Sequence, residues 1–191
     1  MPTQHVDPTA RSSRVVIFGT ARARRDKIAK ALHAEGIGVT VLDDMHETET
    51  SSFSGLVIVE EFPPLMDWDH WWEREADTWE TFEAILPRLR ASSRGLLVAF
   101  SMTDRPRKRA HMRGGIAHLI SQFEATAAME RGIDFGINAL EVPPSADAKL
   151  VDDRITAHMR TQHSTLANRV VVKYEQLRKA SIAEATTAEF I

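Results

Sequence analysis

The sequence contains no cysteine, which excludes disulfides, thiolate metal centres and a cysteine nucleophile. No stretch of apolar residues approaches the roughly 18 to 20 that a membrane-spanning helix requires. A basic excess is also missing: 24 Lys and Arg against 27 Asp and Glu give a formal net charge of −3. The global positive field of a nucleic-acid binder is therefore absent, and neither nucleic acid nor membrane is expected as a partner. The N-terminus shows no charged-then-apolar leader, so the expected location is cytoplasmic. Only one tyrosine is present, Tyr174, and only nine glycines.

What the chain does contain is organised around its opening, from Arg14 to Asp44. A β-branched and aromatic run (Val15, Val16, Ile17, Phe18) ends at Gly19, an apolar stripe at helical spacing follows (Ile28, Ala31, Leu32), and a second run (Val39 to Leu42) closes on Asp43. Strand, turn, helix, strand is the start of a parallel α/β sheet. In such units the first turn normally carries G-x-x-x-G-x-G or G-x-G-x-x-G, so that backbone amides at the helix N-terminus can approach a pyrophosphate. Here Gly19 fits the first position, but the second and third fall on Ala23 and Arg25. The Arg25 stem brings bulk to a place that should be bare backbone, and the dinucleotide site is compromised. A competing reading makes Arg22, Arg24 and Arg25 a cationic anion site.

With 191 residues the chain suffices for one packed domain and is short for two. The expected division is a polar tail over 1–13, a Rossmann-like α/β domain over 14–180 and a C-terminal tail over 181–191. Polar residues after Asp43 read as a loop, and Leu56 to Val59 as a buried strand, a shorter route than a doubly wound fold usually takes. A helix is expected from Asp67 to about Arg90. It presents Trp68, Trp71, Trp72, Trp79, Phe82, Ile85, Leu86 and Leu89, an arc wider than one core-facing stripe needs. The surplus aromatic area suggests a subunit interface. Gly95 to Phe100 reads as a strand, the basic segment from Met102 to Gly115 as a loop, and 115–131 as a helix with Ile116, Leu119, Ile120, Phe123 and Ala127 on one face. A strand from about Asp134 to Val142 stops at Pro143-Pro144, and two helices are expected near 148–161 and 165–180.

In wording and order these segments resemble the short-chain dehydrogenase/reductase family over most of Arg14 to Pro143. The matching phrases are RDKIAKALHAEGIGVTVLDD, WDHWWEREADTWETFEAILPRLR, GLLVAFS and FEATAAMERGIDFGINALEVPP, standing for the first helix and second strand, fourth helix, fifth strand, and fifth helix with sixth strand. The resemblance implies a doubly wound parallel sheet, here shortened between the second and fourth family strands, and assembly through the fourth and fifth helices. Trp68, Trp72, Trp79, Phe82, Leu86, Ile116 and Phe123 would then form the interface. The family's tyrosine position falls on Arg113, its lysine on Ala117 and its helix asparagine near Glu75. Its N-N-A-G turn falls on Ile58 to Glu61, which would set two acids where an anionic cofactor belongs. Arginine is too basic to exchange a proton near neutral pH, and alanine offers no hydrogen bond. Two family-like positions survive: Ser101, where a substrate-orienting serine would stand, and Asp43, which with Gly19 would make a vestigial cofactor site.

The remaining constellations are weaker. His111 with His118, His158 with His163, and His70 near Asp67 and Asp69 lack the i, i+4 spacing of a helical metal pair, so no metal is expected. Glu60 and Glu61 are adjacent in a strand and point to opposite faces. Tyr174 with Arg178 lies too far along the chain to be the catalytic pair, and the basic run from Arg105 to Arg109 reads as solvated, or as touching an acidic partner or an acyl-CoA phosphate, rather than nucleic acid. The resemblance thus implies a non-catalytic subunit without cofactor that pairs with an active paralogue as a hetero-oligomer, in families some of which act on acyl-CoA or acyl-carrier substrates; a homo-oligomer is the variant of this. The alternatives are an NAD- or NADP-dependent dehydrogenase or ketoreductase with an atypical site, and a nucleotide-binding sensor.

Overall fold

The computed structural model describes residues 14–42, 52–63, 68–133, 135–160 and 168–189, with the side chains of 68–75, 91 and 92 left aside. Among the described residues six strands form one parallel sheet in the order β2-β1-β3-β4-β5-β6. They are β1 (Arg14–Phe18), β2 (Gly38–Val41), β3 (Phe53–Phe62), β4 (Leu89–Ser101), β5 (Gly136–Val142) and β6 (Val171–Lys173). The helices are α1 (Arg22–Ala34), α2 (Trp68–Ile85), α3 (Pro106–Arg131), α4 (Ala148–Arg160), α5 (Tyr174–Leu177) and α6 (Ile182–Ala188), with a 3-10 turn at Leu86–Arg88 after α2. A parallel sheet is covered on both faces, and its strands therefore read as near-continuous apolar runs. Val15, Ile17, Val57, Val59, Val98 and Leu140 pack on one face with α1, α4 and α6. Val16, Phe18, Ile58, Leu97 and Ala99 pack on the other with α2 and α3. This is the Rossmann-like doubly wound sheet in a single domain that the sequence leads one to expect, and the chain reverses direction across the sheet between β1 and β3.

Several boundaries differ from expectation for identifiable reasons. The helix expected from Gly115 begins at Pro106, because proline suits the first helical position and because Arg109, in its first turn, is buried and ion-paired rather than solvated. It ends at Gly132, whose φ of 59° supplies the left-handed C-terminal residue. The expected helix over 165–180 is replaced, from residue 168 onward, by β6 and the short α5: Ala139 N donates to Val170 O and Arg169 N to Ile137 O, so this segment pairs with β5 instead of coiling. Residues 181–189 are not a tail. Ser181 and Glu184 form a reciprocal capping box on α6, and Ile182 and Ala185 are buried.

The aromatic surplus also resolves differently. Phe82 and Phe123 are fully buried, with ring centroids 4.6 Å apart, and Leu86 and Ile116 are buried beside them. These four residues lie in the seam between α2, α3 and the sheet and cannot meet a second subunit without unpacking the domain. Trp79 is half-buried, stacked on Phe123 at 5.4 Å, with its indole N–H donating to Glu83 at 2.6 Å. Its role is to staple α2 to α3. The side chains of Trp68 and Trp72 lie outside the described residues.

Candidate functional site

In an open α/β sheet the crevice beyond the carboxyl ends of the strands, where the strand order reverses, is where ligands bind. Here that point lies between β1 and β3. Gly19 leaves β1 with φ 128°, and a Cβ added to it would stand 2.1 Å from Val59 O of β3. Ala21 N then donates to the same carbonyl at 3.2 Å. Close approach of the turn to the neighbouring strand therefore accounts for this glycine without any nucleotide. Asp43, the other residue expected at a cofactor site, lies outside the described residues.

The three arginines of the first turn are not brought together. Arg25 is buried and lies back across the turn, donating from Nη1 to Leu42 O at 3.1 Å and from Nε and Nη2 to Asp26. It closes the space that a glycine would leave, as its bulk implies, and does so by tying α1 to the end of β2. Arg24 turns to the opposite face and lays its guanidinium 5.0 Å from the centroid of the Phe100 ring, an arrangement worth about 0.5–1 kcal/mol where exposed. Between Arg24, Phe100, Val142 and Pro143 only about 30 Å3 remains open, far below the several hundred Å3 of a small-molecule site. Arg22 stays exposed.

The segment Ile58 to Glu61, onto which the resemblance places a turn, continues β3 as strand, in keeping with the apolar run from Leu56 to Val59. Adjacent strand residues point oppositely, and accordingly Glu60 is buried while Glu61 is exposed. Glu60 accepts from Thr20 N at 3.3 Å, from the Thr20 hydroxyl, and from the Thr78 hydroxyl at 2.8 Å. One carboxylate thus ties the first turn, the central strand and α2 together. Beside it opens a groove of about 520 Å3 between the ends of β1 and β3 and one face of α2.

Where β5 ends and α3 begins, a second polar cluster is built around a buried carboxylate and reaches the surface at Glu175. Glu141 is fully buried on β5, where every other residue of the strand's second half is apolar, and it takes two arginines: Arg109 Nε at 2.5 Å and Arg113 Nη1 at 2.8 Å. Arg109 also reaches Glu175 of α5 through Nη1 at 2.9 Å and Nη2 at 3.3 Å. Burial alone would raise the Glu175 carboxyl, but the hydrogen bonds from Arg109 outweigh it and hold that group below the ordinary carboxylate range. Burial would likewise discharge Arg109, whereas Glu141 and Glu175 more than offset this and keep it firmly protonated. Ser101 is buried at the end of β4, its hydroxyl donating to Thr103 O at 2.8 Å and accepting from Thr103 N at 3.2 Å. It closes its own turn. Tyr174 accepts from Asp147 N at 2.9 Å and so fixes the start of α4.

Glu141 and Glu175 were not singled out by sequence pattern, and Glu60 and Arg109 were read without their partners. One signal was available: an acidic residue inside the apolar strand INALEV has to be paired if the strand is buried.

Among the described residues no group of three His, Asp or Glu is arranged to hold a metal ion, and no helix is long and apolar enough to cross a membrane. His163 and Asp67 lie outside them. His158 is buried on α4, and burial, reinforced by the positive charge of Arg94, lowers its pKa from 6.5 to about 4. An unfolded chain takes up the proton below about 6.5 and the folded one only near 4, so acidification favours unfolding across that window. The loss expected between these limits is about 3 kcal/mol. Urea denaturation of the wild type and of His158→Leu at pH 7 and pH 4.5 checks this: the variant should lose less stability on acidification, and equal losses would refute the assignment.

No protein-family model matches this chain. No curated protein matches it either. Among solved structures, the orphan response regulator HP1043 of H. pylori is similar at 16% identity, covering 78% of this chain and 98% of its own, with a TM-score of 0.33.

Proposed function

We propose that this chain is a non-catalytic subunit of the short-chain dehydrogenase/reductase type, which pairs with an active paralogue in a hetero-oligomeric oxidoreductase. The observation that carries the reading is Arg113: at the position the resemblance assigns to the proton-donating tyrosine, the side chain is an arginine ion-paired with a buried glutamate. Its companion position is Ala117, which can neither hold a ribose nor lower a neighbour's pKa. Three further features support it. Arg25 fills the turn against Leu42 O, Arg24 covers Phe100, and Ser101 is committed to its own loop. The family's partners, including those acting on acyl-CoA or acyl-carrier substrates, come with the resemblance alone.

Burial of Phe82, Leu86, Ile116 and Phe123 moves any partner surface on α3 to its outer side, where Ala110, Gly114, His118, Ala125 and Met129 are exposed and Met129 is 79% accessible. The experiment is co-expression with a neighbouring full-length paralogue, followed by size-exclusion chromatography and titration with NADH and NADPH. The expected result is a mixed complex, no saturable cofactor binding by this chain alone, and loss of the complex in Ala125→Arg with the fold retained. Turnover of NADH or NADPH by the isolated chain would overturn the reading. It would favour the alternative, a nucleotide-using enzyme or sensor, for which the groove beside Gly19 is the supporting observation.

A further inference from the structure

The groove beside Gly19 and Thr20 follows α2 from Asp77 to Arg88, a run of roughly 16 Å at the rise of an α-helix. Its far end is unusual. Arg88 follows α2 in the 3-10 turn and is half-buried, with its guanidinium 5.1 Å from the centroid of the Phe53 ring. Nε and Nη2 are shielded from solvent and have no hydrogen-bond acceptor. Those two nitrogens share one edge of the guanidinium, the edge that offers parallel N–H bonds to a carboxylate or phosphate. A buried cationic donor pair left unmet is rare and calls for a physical reason, an absent ion among them.

We infer that the groove binds a small organic anion, and that Arg88 swings from the Phe53 ring to grip its carboxylate or phosphate head in a bidentate fork. The covered edge of Arg88 gains in the bound state the two charge-assisted bonds it lacks in the empty one, so the side chain favours the ligand-facing position only when an anion is there. About 520 Å3 is the volume of a typical small-molecule site. Arg22 and Arg25 bring positive charge to the Gly19 end, where Glu60 also lines the groove, while Asp77 and Glu80 line it on the α2 side. That mixture of charges disfavours a polyanion and suits a ligand with one anionic head and a body carrying hydroxyl or amino donors. The inference does not depend on the pairing proposed above, because it asks nothing of a partner or of a nicotinamide cofactor.

The test titrates the purified chain with inorganic phosphate and, separately, with benzoate, following the Arg88 Nε–Hε resonance and the backbone amides by NMR. Saturable shifts of Arg88 and of the amides from Gly19 to Arg22 and along α2 are expected with one probe or both, and the probe that binds tells phosphate from carboxylate. Arg88→Gln and Arg88→Lys should each weaken binding tenfold or more, about 1.4 kcal/mol, since lysine keeps the charge but has no fork. If neither variant folds, the wild-type Nε–Hε resonance decides. Shifts with Arg88 unmoved, affinity unchanged in both variants, or no saturable response to either probe at millimolar concentration would overturn the inference.

Discussion

Replacing Glu141 by leucine is expected to cost about 3–5 kcal/mol, the range for breaking a buried ion pair from one side. The carboxylate is wholly buried and sits between Arg109, whose side chain is 8% exposed, and Arg113, 25% exposed. Without it Arg109 retains only Glu175, whose side chain is 58% exposed and whose attraction is weakened by water. Urea denaturation at pH 7 measures the effect. The double variant Glu141→Leu with Arg109→Met should regain much of the loss, because removing both charges removes the penalty that removing one creates. A single-variant loss under about 1 kcal/mol would mean that the pair contributes no more than a surface one. The same cluster has an acid limb. Glu175 is held below its ordinary value, so its contribution is full above the ordinary carboxylate range and is lost as pH falls through the depressed value. Glu175→Gln should therefore lower stability at neutral pH, where the contribution is full, approach the wild type at acid pH, and so flatten the acid limb of the stability curve.

The strand-helix-strand opening and the central strands were legible because their signals are local. Val15 to Phe18 and Leu96 to Val98 are apolar without interruption, as strands covered on both faces must be. The end of the chain was not legible. Val170 to Val172 is too short a run to outweigh a helical reading, and what makes β6 a strand is pairing with β5 more than thirty residues away, including Val170 N donating to Asn138 Oδ1. The same holds for the polar clusters. Arg109 read as one of several solvated bases because its partners are 32 and 66 residues distant, and Glu60 read as an acid facing a cofactor because Thr20 and Thr78 are 40 and 18 residues away.

The aromatic content of α2 shows a different limit. Spacing reveals that Phe82, Leu86 and their neighbours share a broad face, but it cannot say whether that face meets the sheet, the next helix or another molecule. In the folded chain Phe82 contacts both Phe123 of α3 and Phe135 ahead of β5, with ring centroids 4.6 and 5.7 Å away. A helix wedged between a sheet and a second helix needs a wide apolar arc of its own. Width alone is therefore no argument for a subunit contact, and any argument for one has to come from what remains exposed.

Gly19→Ala is expected to cost about 3 kcal/mol or more, from overpacking and backbone strain together. The φ of 128° lies where side-chain-bearing residues are rarely found, and the added methyl would stand 2.1, 2.7 and 2.8 Å from Val59 O, N and C. No rotamer relieves a Cβ clash, and the atoms it meets are backbone of the central strand β3, which is paired on both sides. The turn would have to lift away, breaking the Ala21 N to Val59 O bond and drawing Thr20 off Glu60. Thermal and urea unfolding of the purified variant measure the cost, and the comparison with Ala23→Gly separates a glycine kept for a dinucleotide from one kept for packing. If Gly19 were kept for a dinucleotide, adding glycine at Ala23 would move the turn toward the full motif and improve cofactor binding, while Gly19→Ala would chiefly weaken binding. If it is kept for the approach of the turn to β3, Gly19→Ala destabilises the chain in the absence of any ligand and Ala23→Gly confers no binding. The second pair of outcomes is the one expected. A Gly19→Ala variant within about 1 kcal/mol of the wild type would show that the turn relaxes freely and that the glycine has some purpose other than packing.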